Sequence, residues 1–219
     1  MKKSRAIIMS VVLALMSAII LITASVALFS DSVTVVNYLQ AGTLDIGLAR
    51  TQLSGYTADE NGILQFSSNL ERVDLTDAQT DDPDDTVFNL GAQSIPGTWQ
   101  EATLEIENRG TVAFDYSVAF FFSEVPEEGS AAARLADKLL VTITDSKGEV
   151  LTEAGTTLTD IVAQGAVALG SISSPNAKYT FRLKIELPLE EGTWDDGAGA
   201  TIMNAALAFN ITVSATQKV

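Results

Sequence analysis

The chain contains no cysteine and no histidine among its 219 residues. Without cysteine, no disulfide can staple the fold, so stability outside a reducing compartment has to come from packing alone. Without histidine, the commonest general base and the commonest zinc ligand are missing together. A histidine-based metalloprotease, a histidine-dependent triad and a zinc finger are therefore excluded. Basic residues are also few, with 13 Lys and Arg against 28 Asp and Glu, a formal net charge of −15. Such a chain repels nucleic acid and anionic lipid. Any assembly has to be driven by apolar burial or backbone pairing rather than long-range attraction, and added salt should favour it.

Charge is missing altogether between Arg5 and Asp31. Lys2, Lys3 and Arg5 precede this largely apolar run, and Ser25, Val26 and Ala27 put small residues at its first and third closing positions, as in a signal peptide. Cleavage is expected between Ala27 and Leu28, and the small-residue site favours it over the competing reading, a retained membrane anchor. Removing residues 1 to 27 leaves 10 basic against 28 acidic residues, a net charge of −18. The remainder has the size and apolar content of one domain. The expected organisation is a signal peptide over 1–27, an amino-terminal strand over 28–40 and a globular domain over 41–219.

Strand patterns dominate the rest of the chain. Residues 32–39 are β-branched and aromatic, but Val33, Val35 and Leu39 fall on one face and Val36 and Tyr38 on the other. Either both faces are buried or a bulge intervenes. Leu44, Ile46 and Leu48 alternate cleanly after Gly42. Residues 54–98 are weakly patterned, with a turn at Asn61-Gly62 and an acidic stretch from Asp74 to Asp85, and read as an excursion from the core. From Trp99, Ala102, Leu104 and Ile106 alternate with polar residues up to Asn108-Arg109-Gly110, and Val112, Phe114, Tyr116 and Val118 continue, reading as a hairpin over 99–122. Ser130 to Leu140 predicts one short capped helix, and Asp145-Ser146-Lys147-Gly148 another hairpin turn. Leu158 to Val162 fits a strand or a helical turn. Tyr179, Phe181, Leu183, Ile185 and Leu187 mark an amphipathic strand, and Leu207, Phe209, Ile211 and Val213 the last one. Eight to ten short strands with one short helix, without βα alternation, predict an all-β, two-sheet antiparallel sandwich of jelly-roll type.

Chemistry is sparse. Glu105 and Glu107 share a strand face and formally resemble a carboxylate pair, though a solvated strand face is the commoner origin of such spacing. No Gly-x-Ser-x-Gly elbow and no phosphate-binding loop with a following lysine is present. Asp81, Asp82, Asp84 and Asp85 offer hard oxygen ligands for Ca²⁺, without the spacing of an EF-hand loop, against the plainer reading of a self-repelling acidic loop. Asn210-Ile211-Thr212 matches a glycosylation acceptor but falls inside a predicted strand. No other cofactor is expected, and no catalytic residue.

The order of these features resembles the TasA/camelysin family of secreted proteins that form biofilm matrix fibres. Leu28-Phe29-Ser30-Asp31 is similar to its mature amino terminus, and Ala41-Gly42-Thr43-Leu44-Asp45-Ile46 to its first motif. Pro96-Gly97 with Glu107-Asn108-Arg109-Gly110-Thr111 resembles its central hairpin, and Phe209 to Gln217 its closing strand. The stretch from Leu53 to Leu90 has no counterpart in the resemblance, and residues 123–176 match loosely. The resemblance implies a jelly roll, processing by a dedicated signal peptidase, and polymerisation in which the amino-terminal strand of one subunit fills a gap in the next. Leu28, Phe29, Val33, Val35, Val36, Tyr38 and Leu39 would form that strand, the apolar faces of the Phe181 and Phe209 strands would form the receiving groove, and the partners would be further copies, the peptidase and an accessory matrix subunit. The competing functions are a monomeric surface adhesin and a secreted metallopeptidase of the camelysin type, the latter weakened by the missing histidines. A type IV pilin is disfavoured by the absence of a Gly-Phe processing site and an early glutamate. The expected location is the extracellular matrix or the cell surface.

Overall fold

The computed structural model describes residues 42–59, 61–76, 86–88, 95–189, 202 and 205–218. The chain divides into Met1–Ala41 and Gly42–Val219, and every described residue belongs to the second unit. Nine strands lie among the described residues: β1 (Ile46–Ala58), β2 (Leu64–Asn69), β3 (Val73–Asp74), β4 (Trp99–Asn108), β5 (Phe114–Phe122), β6 (Leu140–Thr144), β7 (Val167–Ile172), β8 (Lys178–Glu186) and β9 (Phe209–Gln217). Two helices accompany them, α1 (Ala131–Lys138) and α2 (Leu158–Gln164).

The strands form two antiparallel sheets that pack on a shared core, an all-β sandwich. The larger sheet runs β2-β1-β4-β8-β6, with β3 beside β2 on the free side of β1. The smaller runs β7-β5-β9. Alternation decides which side chains fill the space between them. Ala102, Leu104 and Ile106 of β4, Phe181, Leu183 and Ile185 of β8, and Phe114, Tyr116, Val118 and Phe120 of β5 are all buried. Tyr116 and Phe181 meet across the core with ring centroids 6.3 Å apart.

The 99–122 segment is not a hairpin. β4 pairs with β1 and β8 in one sheet, and β5 pairs with β7 and β9 in the other, so the Asn108-Arg109-Gly110 turn carries the chain across the sandwich. A turn signal with apolar alternation on both sides marks a reversal and leaves open whether its arms pair. Here both arms are buried on one face and each is central in its own sheet. Asn108 is wholly buried, and its amide nitrogen donates to the carbonyls of Val112 and Ser174 while its oxygen accepts from the Gly110 N–H. The turn is also tied to the start of β1. Arg109 and Gly110 N–H donate to the Asp45 carbonyl, and Thr111 N–H to that of Thr43. A Cβ on Gly110 would stand 2.2 Å from the Thr43 oxygen, so only glycine permits this approach.

Residues 54–76 likewise belong to the sheet rather than to an excursion. β1 continues to Ala58, turns through Asn61-Gly62 and returns as β2, with Tyr56 opposite Phe66. The pattern is weak because β2 is a marginal strand with most side chains in water. Two helices replace the expected one. Ser130 caps α1 by accepting from the Ala133 N–H. α2 is closed by a reciprocal capping box between Thr157 and Asp160, and these hydrogen bonds hold the Asp160 carboxyl below its usual range. β7 is a strand that periodicity did not reveal: Val167, Leu169 and Ile172 are buried, and a register shift near Gly170 interrupts the alternation.

The crossing turn depends on Asn108, so Asn108→Ala should lower stability by about 2–4 kcal/mol, because it strips partners from buried polar groups. Urea unfolding measures this, and a loss under about 0.5 kcal/mol would show that the turn holds without that side chain.

Candidate functional site: the open edge of β9

Neighbouring strands lie about 4.8 Å apart, so the five-strand row spans about 19 Å and its three-stranded partner about 10 Å. About two strand widths of the larger sheet therefore need cover from elsewhere. Helix α2 supplies part of it, burying Leu158 and Ile161 in the core while packing against β5 and β6. Leu75 is buried, and Val73, Val87 and Phe88 pack against the same core near β1. Leu75 N–H extends the edge pairing by donating to the Leu48 carbonyl.

Among the described residues the cover runs out beside β9. Phe209, Ile211, Val213 and Ala215 point into the sandwich but are only partly buried, whereas Phe120, Val118, Tyr116 and Phe114 on adjacent β5 are buried. Ile46 and Leu48 of β1 are also half-buried core neighbours. Among the described residues β9 pairs with β5 alone, and no described strand satisfies the backbone N–H and C=O groups along its other edge. Such an edge, with an apolar row beneath it, is a template for an added strand. Its outward residues, Thr212, Ser214 and Thr216, are exposed and uncharged, and Asn210 donates to the Ser123 hydroxyl. The edge thus lacks the lysines and prolines that usually block strand addition.

The two strands expected to form a receiving groove stand differently in their sheets among the described residues. β9 is an edge strand, but β8 lies between β4 and β6 and Phe181 is fully committed to the core. Sequence periodicity identifies both as amphipathic and carries no information on which is central. Ala27, Leu28, Phe29, Val33, Val35, Val36, Tyr38 and Leu39 lie outside the described residues, as do Asp81, Asp82, Asp84 and Asp85. Among the described residues no three acidic side chains converge as metal ligands would, and no helix is long and apolar enough to cross a membrane.

Glu105 and Glu107 do share the outward face of β4, where they form ion pairs. Glu105 accepts from Arg72 at 2.7 Å and Lys178 at 3.0 Å, and Glu107 lies 3.5 Å from Arg109. Partial burial works against the charge on Glu105, yet the two cations more than offset it and hold the carboxyl below its usual range. A general acid needs the opposite shift, so this pair is set up as a charge ladder.

No protein-family model matches the chain, and no curated protein matches it. What the fold and site define is a class: an all-β sandwich whose smaller sheet ends, among the described residues, in a strand paired on one side only, above half-buried apolar side chains.

In dispersed protein, the β9 amides should fall into two alternating sets in hydrogen exchange, one protected by β5 and one exchanging rapidly at the open edge. Uniform protection along Phe209–Gln217 in a monomer would mean that the edge is already covered.

Proposed function

We propose that the protein is a secreted structural subunit of extracellular fibres, of the TasA/camelysin type, with a jelly-roll domain that polymerises head to tail. Residues 28–40 of one copy add to the free edge of β9 in the next, donating backbone hydrogen bonds and inserting apolar side chains over Phe209, Ile211, Val213 and Ala215. The observation that carries this reading is the half-burial of that row beside the buried inward row of β5. An inserted strand with both faces covered explains why Val33, Val35, Val36, Tyr38 and Leu39 fail to segregate to one side. Removal of the first 27 residues by a signal peptidase would free this segment.

Chain direction favours donation between copies over closure within one. Thr43 is bonded to Thr111, and Lys218 N–H donates to the Ala113 carbonyl, so Thr43, a few residues beyond the donor segment, and the end of β9 lie at the same end of the domain. A segment folded back along its own β9 would run parallel to it, whereas every described pairing is antiparallel. A strand from another copy has no such restriction. Because donor and acceptor are different surfaces, the contact is heterologous and repeats into an open filament. Two segments that carry the family resemblance also touch: residues 43–45 accept hydrogen bonds from 109–111.

Negative-stain electron microscopy at raised salt tests the reading, with protein beginning at Leu28 compared with protein beginning at Ala41. Filaments in the longer form alone are the expected result. Filaments in both would move the contact away from residues 28–40, and folded monomers in both would favour a monomeric adhesin.

A further inference from the structure

The outward face of the larger sheet carries an arrangement that strand donation does not use. Tyr56, Phe66 and Trp99 cluster there with ring centroids 5.3 to 6.4 Å apart, although Tyr56 is 41 % and Phe66 56 % exposed. Lys184 Nζ lies 5.1 Å from the Trp99 ring centroid. Exposed aromatic clusters of this kind mark contact surfaces, and aromatic and arginine side chains are enriched at their centres. The rings are tilted 50° to 57° to one another, so they present edges and corners and no common plane. A sugar ring stacking flat would find no platform here.

Charge on this face follows the strands. β4 contributes Glu101, Glu105 and Glu107, and β8 contributes Lys178, Arg182 and Lys184. Register sets Glu101 beside Lys184 and Glu107 beside Lys178. With Arg72 and Glu186 the face is balanced, in a chain whose net charge is −15. Elsewhere on so acidic a protein, two copies repel as they approach.

We infer that this face pairs with the same face of a second copy, joining fibres side by side. A two-fold axis parallel to the strands, between β4 and β8, sets β4 of one copy over β8 of the other at the same level. Glu101 then faces Lys184 of the second copy, and Glu107 faces Lys178, each contact occurring twice. Tyr56, one strand beyond β4, comes over Leu140, one strand beyond β8, because Trp99 pairs with both Tyr56 and Glu186 and Leu140 pairs with Glu186. A self-complementary surface of this kind is isologous and closes as a pair. In a fibre it recurs at every subunit, so a weak contact sums to firm bundling. The bundling, though not the pairing, rests on the fibre reading proposed above.

A charge swap tests it. Glu101→Lys puts lysine against lysine in its own pairs, and Lys184→Glu puts glutamate against glutamate. A mixture of the two variants restores opposite charges at both positions. Full-length mature protein is examined by electron microscopy and by sedimentation velocity. Bundled filaments are expected for the natural sequence, a roughly tenfold loss of bundled mass for each variant alone, and recovery in the mixture. Misfolding cannot produce that recovery, since the same chains are present. Bundles that persist in both variants overturn the pairing and leave strand donation intact. If no sample forms filaments, strand donation fails, and sedimentation decides the pairing: dimers in the natural protein and the mixture but not in either variant support it, and monomers throughout overturn it. Retention on an uncharged polysaccharide that is lost with Phe66→Ala, without any change on charge reversal, would reassign the face to a glycan.

Discussion

A sandwich closes only when its two sheets cover one another, and among the described residues they differ by about two strands in width. Most of the structure can be read as a response to that mismatch. The capped helix α2 fills one flank with Leu158 and Ile161, and the segment around Leu75 lies over the edge of β1. The row on β9 is left half-covered. A strand edge above half-buried apolar side chains is costly to leave open in water, and in the proposed fibre a strand from another molecule would relieve both defects at once. Because the chain lacks cysteine, no covalent staple holds the edge shut.

The setting of β9 follows from how its neighbours are anchored. β5 is central in its sheet and presents Phe114, Tyr116, Val118 and Phe120 to the core, so β9 is registered against a strand that cannot easily move. The β4 to β5 crossing fixes where β5 begins, through buried Asn108 and the contact of Gly110 with residues 43–45. The same crossing holds the start of β1. The starts of β1 and β5 are thus set by one turn.

Strands with a buried face and a wet face were legible in the sequence. β4, β8 and β9 stand where alternation placed them, as do the α1 cap and the Asn61-Gly62 turn. Partnership was not legible. Nothing local in residues 99–122 distinguishes a hairpin from a crossing between sheets, since both need a turn flanked by apolar alternation. Periodicity gave Phe181 and Phe209 equal standing, although one lies in a central strand and the other at an edge. β7 escaped because its register shift at Gly170 breaks the period of two, and Leu158 to Val162 stayed open between a strand and a helical turn because so short a segment shows no clear helical stripe. Glu105 and Glu107 were correctly placed on one face, but their ion-pair partners come from Arg72, Arg109 and Lys178, residues 2 to 73 positions away.

The most direct test exploits the missing cysteines. A single cysteine at Ser214 on the outward side of β9 is mixed with chains carrying a single cysteine at Ser32, Val33, Thr34, Val35 or Val36, and the mixtures are oxidised. Strands paired side by side bring opposed residues within disulfide reach. Donation between copies predicts a covalent dimer of the two different variants for alternate positions along the donor, forming as filaments form. If mixtures give no such dimer, while the corresponding double variants close the bond within single chains at high dilution, the amino-terminal strand covers its own β9 and the account is wrong.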